Sequence, residues 1–257
     1  MATLTLKQNA TPAYRRVRPV PYEFLPIVEQ ELERLLCLGV IKPVRHADWV
    51  APVMVVKKPN GSARLCVNYS TGLNDALQLH QHPLPVPEDI LATLNGGHVF
   101  SRTVFSDACL QVEIDDDSKP LCNINTNRGV YEYQRLPFGV KSAPGIFQAI
   151  MDKMLTGLPF VTAYLDDIVV VSRSQDDHGR HLHAVFDRIN AHGIRVRPGK
   201  VLNLPAINKV LWIHRRQRWT PLGPSKDHRC SRHAGTYQHH QSPLFPWASQ
   251  LLPVLCP

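Results

Sequence analysis

The chain has 257 residues, 44% of hydrophobic type, enough to bury one sizeable core or two small ones, so a globular protein is the default. Its net charge is +8, but residues 208–257 hold seven Lys or Arg against one Asp, which leaves the first 207 residues at only +2 and weakens the case for a polyanionic partner. No run of eighteen apolar residues and no cleavable apolar leader occurs, so neither a membrane span nor a signal peptide is indicated and an intracellular setting is expected.

Residues 1–21 are polar, carry Pro12, Pro19 and Pro21, and read as an extended connector without a fixed fold. From Glu23 to Leu38 the apolar residues Leu25, Ile27, Val28, Leu32, Leu35 and Leu36 recur at helical spacing among acidic ones, and Gly39 ends that helix. The runs 50–58 and 63–69 are rich in β-formers and joined by Pro59, Asn60 and Gly61, which predicts a hairpin. A short helix over Glu88–Leu94 opens after Pro85 and Pro87 and stops at Gly96 and Gly97. Strands are expected near 98–105 and 110–114, then a hairpin over 121–135. A second long helix spans 142–156, with Ser142 in N-cap position and Pro144 in its first turn. Two apolar strands, Val161–Tyr164 and Ile168–Val171, flank Asp166 and Asp167, and a helix follows from Asp176 to Ala191, closed by Gly193. This order points to an α+β fold, a sheet with helices on one face. Cys37, Cys66, Cys109, Cys122, Cys230 and Cys256 show no paired spacing, which fits reduced thiols rather than a disulfide frame or zinc site.

Tyr164-Leu165-Asp166-Asp167 is the most informative tetrapeptide. Two adjacent carboxylates in an apolar β environment need solvation, either by water at an exposed hairpin tip or by a divalent cation held together with substrate phosphates. The tetrapeptide resembles the polymerase motif of reverse transcriptases. Residues 56–69 (VKKPNGSARLCVNY), 105–120 (FSDACLQVEIDDDSKP) and 136–148 (LPFGVKSAPGIFQ) resemble, in the right order, successive blocks of gypsy-type LTR retrotransposon polymerases, and the similarity runs from about Pro19 to Lys200. The resemblance implies reverse-transcriptase fingers and palm over 22–207, the palm an antiparallel sheet backed by helices. It also implies RNA-directed DNA synthesis by two-metal phosphoryl transfer with Mg²⁺, on an RNA or DNA template with its primer and deoxynucleoside triphosphates. In the parent element such a segment would be cut from a polyprotein and work in the cytoplasm or a virus-like particle. By motif match Asp166 and Asp167 are catalytic and metal-binding. Lys57 and Arg64 match positions that grip the triphosphate, with a solvated hairpin face as the plainer reading. Asp107, Ala108, Cys109 and Phe138 match the nucleotide site.

Three residues depart from the pattern. Where the family reads like LDLSDAY, this chain has Thr103-Val104-Phe105-Ser106-Asp107-Ala108-Cys109, so Val104 occupies the place of the first catalytic aspartate and an isopropyl group cannot ligate a cation. Asp107 lies three residues further on, about 10 Å along an extended strand and on its opposite face, which argues against simple replacement. Cys109 replaces the usual tyrosine that excludes ribonucleotides, and Asn68 replaces the aspartate of a CVDY block. The resemblance therefore implies an inactive or severely impaired polymerase, with a noncatalytic nucleic-acid-binding protein or an inert pseudogene product as alternatives.

From Asn208 the resemblance stops, and the tail holds three of the four tryptophans, five histidines and six prolines without periodicity. Cys230, His233, His239, His240 and Cys256 match no standard zinc spacing. Read one nucleotide on from Val210, each Trp codon, TGG, gives GG to the next codon and forces glycine at Trp212, Trp219 and Trp247, where the family has it. Permitted codons then spell YFGFIVDSGGRR and, near the end, RSFLGLANYYQSFVP. The expectation is a frameshift near Asn208–Val210 that makes 208–257 out-of-frame polypeptide. The coding DNA tests it: the shifted frame should be open and carry these blocks, and a stop-rich or unrelated frame would sink the idea.

Overall fold

The computed structural model describes residues 1–57, 63–197 and 202–204; the Pro59–Gly61 turn and the tail from Asn208 lie outside the described residues. Helix α1 (Leu25–Cys37) buries Val28, Leu32 and Leu35 on one face and gives way at Gly39, whose φ of +64° is left-handed. Strands β1 (Ile41–Val44), β2 (Val50–Lys57) and β3 (Ala63–Val67) come next, then the single-turn helix α2 (Leu73–Ala76) and helix α3 (Pro87–Leu94). Strand β4 (Val99–Val104) precedes the hairpin of β5 (Asn123–Thr126) and β6 (Gly129–Tyr133). Helix α4 (Ala143–Leu155), strands β7 (Val161–Tyr164) and β8 (Asp167–Ser172), helix α5 (Gln175–Ala191) and the short β9 (Leu202–Leu204) complete the order. The predicted hairpins and long helices are all present within a residue or two of their expected bounds.

The strands form two sheets. The first has the order β1-β6-β5-β2-β3, with β2 and β5 parallel, and the second, β7-β8-β4-β9, is antiparallel at every described pairing. The second sheet is covered on both faces, which corrects the expectation of helices on one. Ile168 and Val170 of β8 join the main core with Phe147 of α4 and Leu182 and Phe186 of α5. The alternate residues Val169 and Val171 cluster with Phe100 of β4 and with Ile90 and Leu94 of α3. The consecutive apolar run of β8 is what two covered faces require.

Three further expectations are corrected. Residues 1–21 are extended but docked: Ala2 and Leu4 are buried, Ala2 N–H donates to the Glu113 carbonyl at 2.6 Å, and Leu4 N–H donates to Ser118 Oγ at 2.8 Å. Small and apolar residues at alternate positions let this segment lie along the body. The strand expected at 110–114 is instead a 3-10 turn, Ala108–Gln111, followed by isolated bridges at Glu113 and Ile114, because Leu110 N–H closes onto the Asp107 carbonyl. Ser142 stands before α4 without capping it; its hydroxyl donates to the Gln78 carbonyl at 3.0 Å. Among the described residues no helix is long and apolar enough to cross a membrane.

Helix α5 is tied to the second sheet by a buried histidine. His178 Nε2 lies 2.7 Å from Ser101 Oγ on β4, and its Nδ1 lies 2.8 Å from Ser172 Oγ on β8, which is also 2.8 Å from His181 Nδ1. Burial, then the neighbouring His181, lowers the His178 pKa below 6.5. A folded pKa below the unfolded one means that the neutral ring stabilises fully above about pH 6.5, and that this contribution is lost as pH falls beneath it. The urea midpoint should therefore drop between about pH 7.5 and pH 5, and drop less in His178→Gln; equal drops in the two proteins would show that His178 does not carry the effect.

Candidate active site

Strands β7 and β8 meet in a two-residue turn, Leu165-Asp166, closed by the pairing of Tyr164 with Asp167. Leu165 has a φ of +52°, a left-handed conformation that a Cβ makes costly by about 1–2 kcal/mol. Neighbours hold it there. Leu165 N–H donates to Gln148 Oε1 at 3.0 Å, and the Asp166 carbonyl accepts from Phe105 N–H at 3.0 Å. Gln148 is fully buried on α4 and is itself fixed, its Nε2 donating to the Ala163 carbonyl at 2.9 Å and to Asp152 Oδ1 at 2.8 Å. Asp152 Oδ2 in turn pairs with His82 Nε2 at 2.7 Å.

The antiparallel register sets Val104, the last residue of β4, directly opposite Asp167. Asp166 is exposed at the tip, whereas the Asp167 side chain keeps only 13% of its exposure. Both Asp167 oxygens are occupied: Arg102 Nη2 donates to Oδ1 at 2.9 Å and to Oδ2 at 2.7 Å. Among the described residues no group of three or more His, Cys, Asp or Glu could hold a metal ion. With an isopropyl group at 104 and a guanidinium on Asp167, the residues present do not fit a two-cation centre, whose hard cations require several oxygen ligands.

The remaining expected site residues divide. Cys109 is buried close to Asp166; burial first, and then that carboxylate's charge, push its thiol up to about 12, so it is neither a thiolate ligand nor a nucleophile near neutral pH. Ala108 is buried beside it. Asp107 is not on an extended strand, since β4 ends at Val104. It takes a left-handed φ of +48°, and its carboxylate pairs with Arg34 of α1 at 3.3 Å. Phe138 is 46% exposed on a loop whose Gly139 has φ +95° and lies so near the Val67 carbonyl that a Cβ would meet it at 2.9 Å. Asn74 Nδ2 donates to the Gly139 carbonyl at 2.9 Å, fixing this loop to α2. On the β2–β3 hairpin Arg64 pairs with Val56 and Lys57 with Ala63; the side chains of Lys57 and Arg64 are outside the description. Among the described residues Cys37, Cys66, Cys109 and Cys122 form no disulfide, while Cys230, Cys256 and the tail histidines lie outside the described residues.

Two positions that shape the turn escaped the sequence reading. Gln148 carries a signal in hindsight, a polar residue on the apolar face of an amphipathic helix. Arg102 carries another, a cation inside the apolar strand VFSRTV two residues before Val104, hence on the same face.

Residues 56–212 match the model of the reverse transcriptase (RNA-dependent DNA polymerase) family. An uncharacterized protein of Caenorhabditis elegans is 45% identical over 201 residues, 77% of this chain and 16% of that protein. The enzymatic polyprotein of Cauliflower mosaic virus (strain Strasbourg) is 33% identical over 186 residues, 70% of this chain and 27% of the polyprotein. The chain thus spans a small part of these relatives. The foamy viral protease-reverse transcriptase solved with double-stranded DNA superposes with a TM-score of 0.70 at 23% identity, covering 76% of this chain and 34% of that one, and so shares the fold.

Replacing Gln148 with Met keeps its length but leaves the Leu165 N–H without its acceptor. Stability should fall by about 1–3 kcal/mol, and hydrogen exchange at the Leu165 amide should quicken; unchanged exchange there would show that the turn is held without Gln148.

Proposed function

Because the chain belongs to the reverse transcriptase family, we propose that it forms the fingers and palm of a retroelement RNA-directed DNA polymerase whose nucleotidyl transfer is lost or severely reduced. One observation carries the second half of this reading: the residue facing Asp167 across the β4–β8 ladder is Val104. Polymerases of this kind hold divalent cations on carboxylates that converge from neighbouring strands. Here the neighbouring strand supplies a hydrocarbon, and Asp167 is already neutralised by Arg102. Magnesium at Asp166 and Asp167 belongs to the ancestral chemistry.

Residues 22–207 would constitute the fingers and palm, with 1–21 as the strap laid along them and 208–257 as out-of-frame polypeptide. The end of the family match at residue 212 supports a break near 208. The partners would be an RNA or DNA template with its primer and deoxynucleoside triphosphates. The exposed ring of Phe138 is suited to stacking against a base or template. Lys57 and Arg64 would supply positive charge to phosphates, and the turn at Asp107–Cys109, with Ala108 and Cys109 buried, would underlie the nucleotide. An ordered palm around a disabled centre also fits a second reading, nucleic-acid binding without synthesis.

Mg²⁺-dependent primer extension on an RNA template separates these possibilities when the chain is compared with Val104→Asp at matched concentration and verified fold. The unaltered chain should extend little or nothing, and the reverted one should gain at least about tenfold, since a cation ligand stabilises transition-state charge. Equal extension by both would refute the role given to position 104, whereas duplex binding without extension by either would favour the binding reading.

A further inference from the structure

Resting on the palm reading above, we propose that Arg102 is a built-in counter-ion that takes the place of a divalent cation at Asp167, so that a carboxylate restored at 104 holds a cation only weakly until Arg102 is changed as well. Arg102 lies two residues before Val104 on β4, on the same face, and pairs in register with Val169, which puts it diagonally across from Asp167. One nitrogen, Nη2, bridges both carboxylate oxygens, at 2.9 and 2.7 Å, which are the atoms a cation at Asp167 would need. The pair is shielded from solvent, with side-chain exposures of 23% for Arg102 and 13% for Asp167, so water and salt screen it weakly.

The guanidinium is held chiefly by this carboxylate, for its Nε is buried and without a hydrogen-bond partner. A nitrogen stranded in this way marks a side chain drawn to Asp167 by charge rather than seated in a complete donor set. The guanidinium contributes a fixed positive charge. An incoming divalent cation must therefore displace a fixed cation as well as shed its own water. A carboxylate restored at 104 would stand beside Arg102 on the same strand face, and part of its charge would be neutralised by the same guanidinium.

Manganese binding, followed by electron paramagnetic resonance on the full chain without nucleic acid or nucleotide, tests this directly. Val104→Asp should bind Mn²⁺ weakly, and Val104→Asp with Arg102→Met should bind at least about tenfold more tightly, the size of coupling seen for close charge pairs. Val104→Asp with Arg102→Lys, which keeps the positive charge, should remain weak. Arg102→Gln repeats the measurement with a neutral side chain that can still donate to Asp167, and thermal melts check the fold of each variant. Equal Mn²⁺ affinity of Val104→Asp alone and of Val104→Asp combined with Arg102→Met or with Arg102→Gln would overturn the proposal. Because the readout needs no polymerisation, a tenfold step in Mn²⁺ affinity with no primer extension by any variant would sink the polymerase reading and leave the role of Arg102 standing. Restored extension without that step would do the reverse.

Discussion

The arrangement at the turn depends on the register of β4 against β8. Six paired positions, from Val99 with Ser172 to Val104 with Asp167, decide which side chains share a face. A slip of one residue would exchange the faces and bury what is now at the site. On one side lie Phe100, Arg102 and Val104 with Asp167, Val169 and Val171; Ser101, Thr103, Ile168 and Val170 lie on the other. Apolar packing on both faces specifies this register, and polar contacts sharpen it. The ring of His178 reaches Ser101 and Ser172 together only because the ladder holds those two serines on the same face. The pairing that stabilises the sheet also fixes what faces Asp167.

A second constraint acts at the turn. A leucine with positive φ is unfavourable alone, and the surrounding protein removes the alternatives by engaging the amide of Leu165 and the carbonyl of Asp166 from two different elements. Gln148 therefore links the packing of α4 to the aim of the carboxylates, and Asp152 and His82 extend the link toward the segment before α3. This apparatus is in place although position 104, facing Asp167, carries a hydrocarbon side chain. Orientation of the turn and chemistry at the turn are physically separate properties here.

Much of this was legible in the sequence because the long elements have strong periods and clear punctuation. The turn and both of its flanking strands could be read from order and motif. What could not be read depends on long-range partners. The N-terminal strap looked unstructured because its prolines are local, while its burial depends on residues near 113–118. The segment 110–114 has strand-like alternation, but a turn closing at Asp107 competes successfully for its backbone. The hydroxyl of Ser142 finds the Gln78 carbonyl instead of capping its own helix. Arg102 is the most instructive miss, since its meaning exists only across the ladder.

The three departures from the family pattern share a physical property: the fold accommodates each of them. Cys109 is a buried protonated thiol in well-packed surroundings. Asn68 Oδ1 accepts from Ser70 Oγ at 2.5 Å, a role an amide oxygen fills as a carboxylate oxygen does. Val104 goes further, because an aspartate there would face Asp167 across a ladder pair, where like charges repel unless a cation joins them. Valine removes that repulsion, and Arg102 neutralises the carboxylate that remains. Without metal, the altered palm is thus expected to be no less stable than an ancestral one, and a well-packed fold is no sign of preserved catalysis. Sites built to gather like charge trade stability for chemistry, and a valine opposite Asp167 relieves that repulsion.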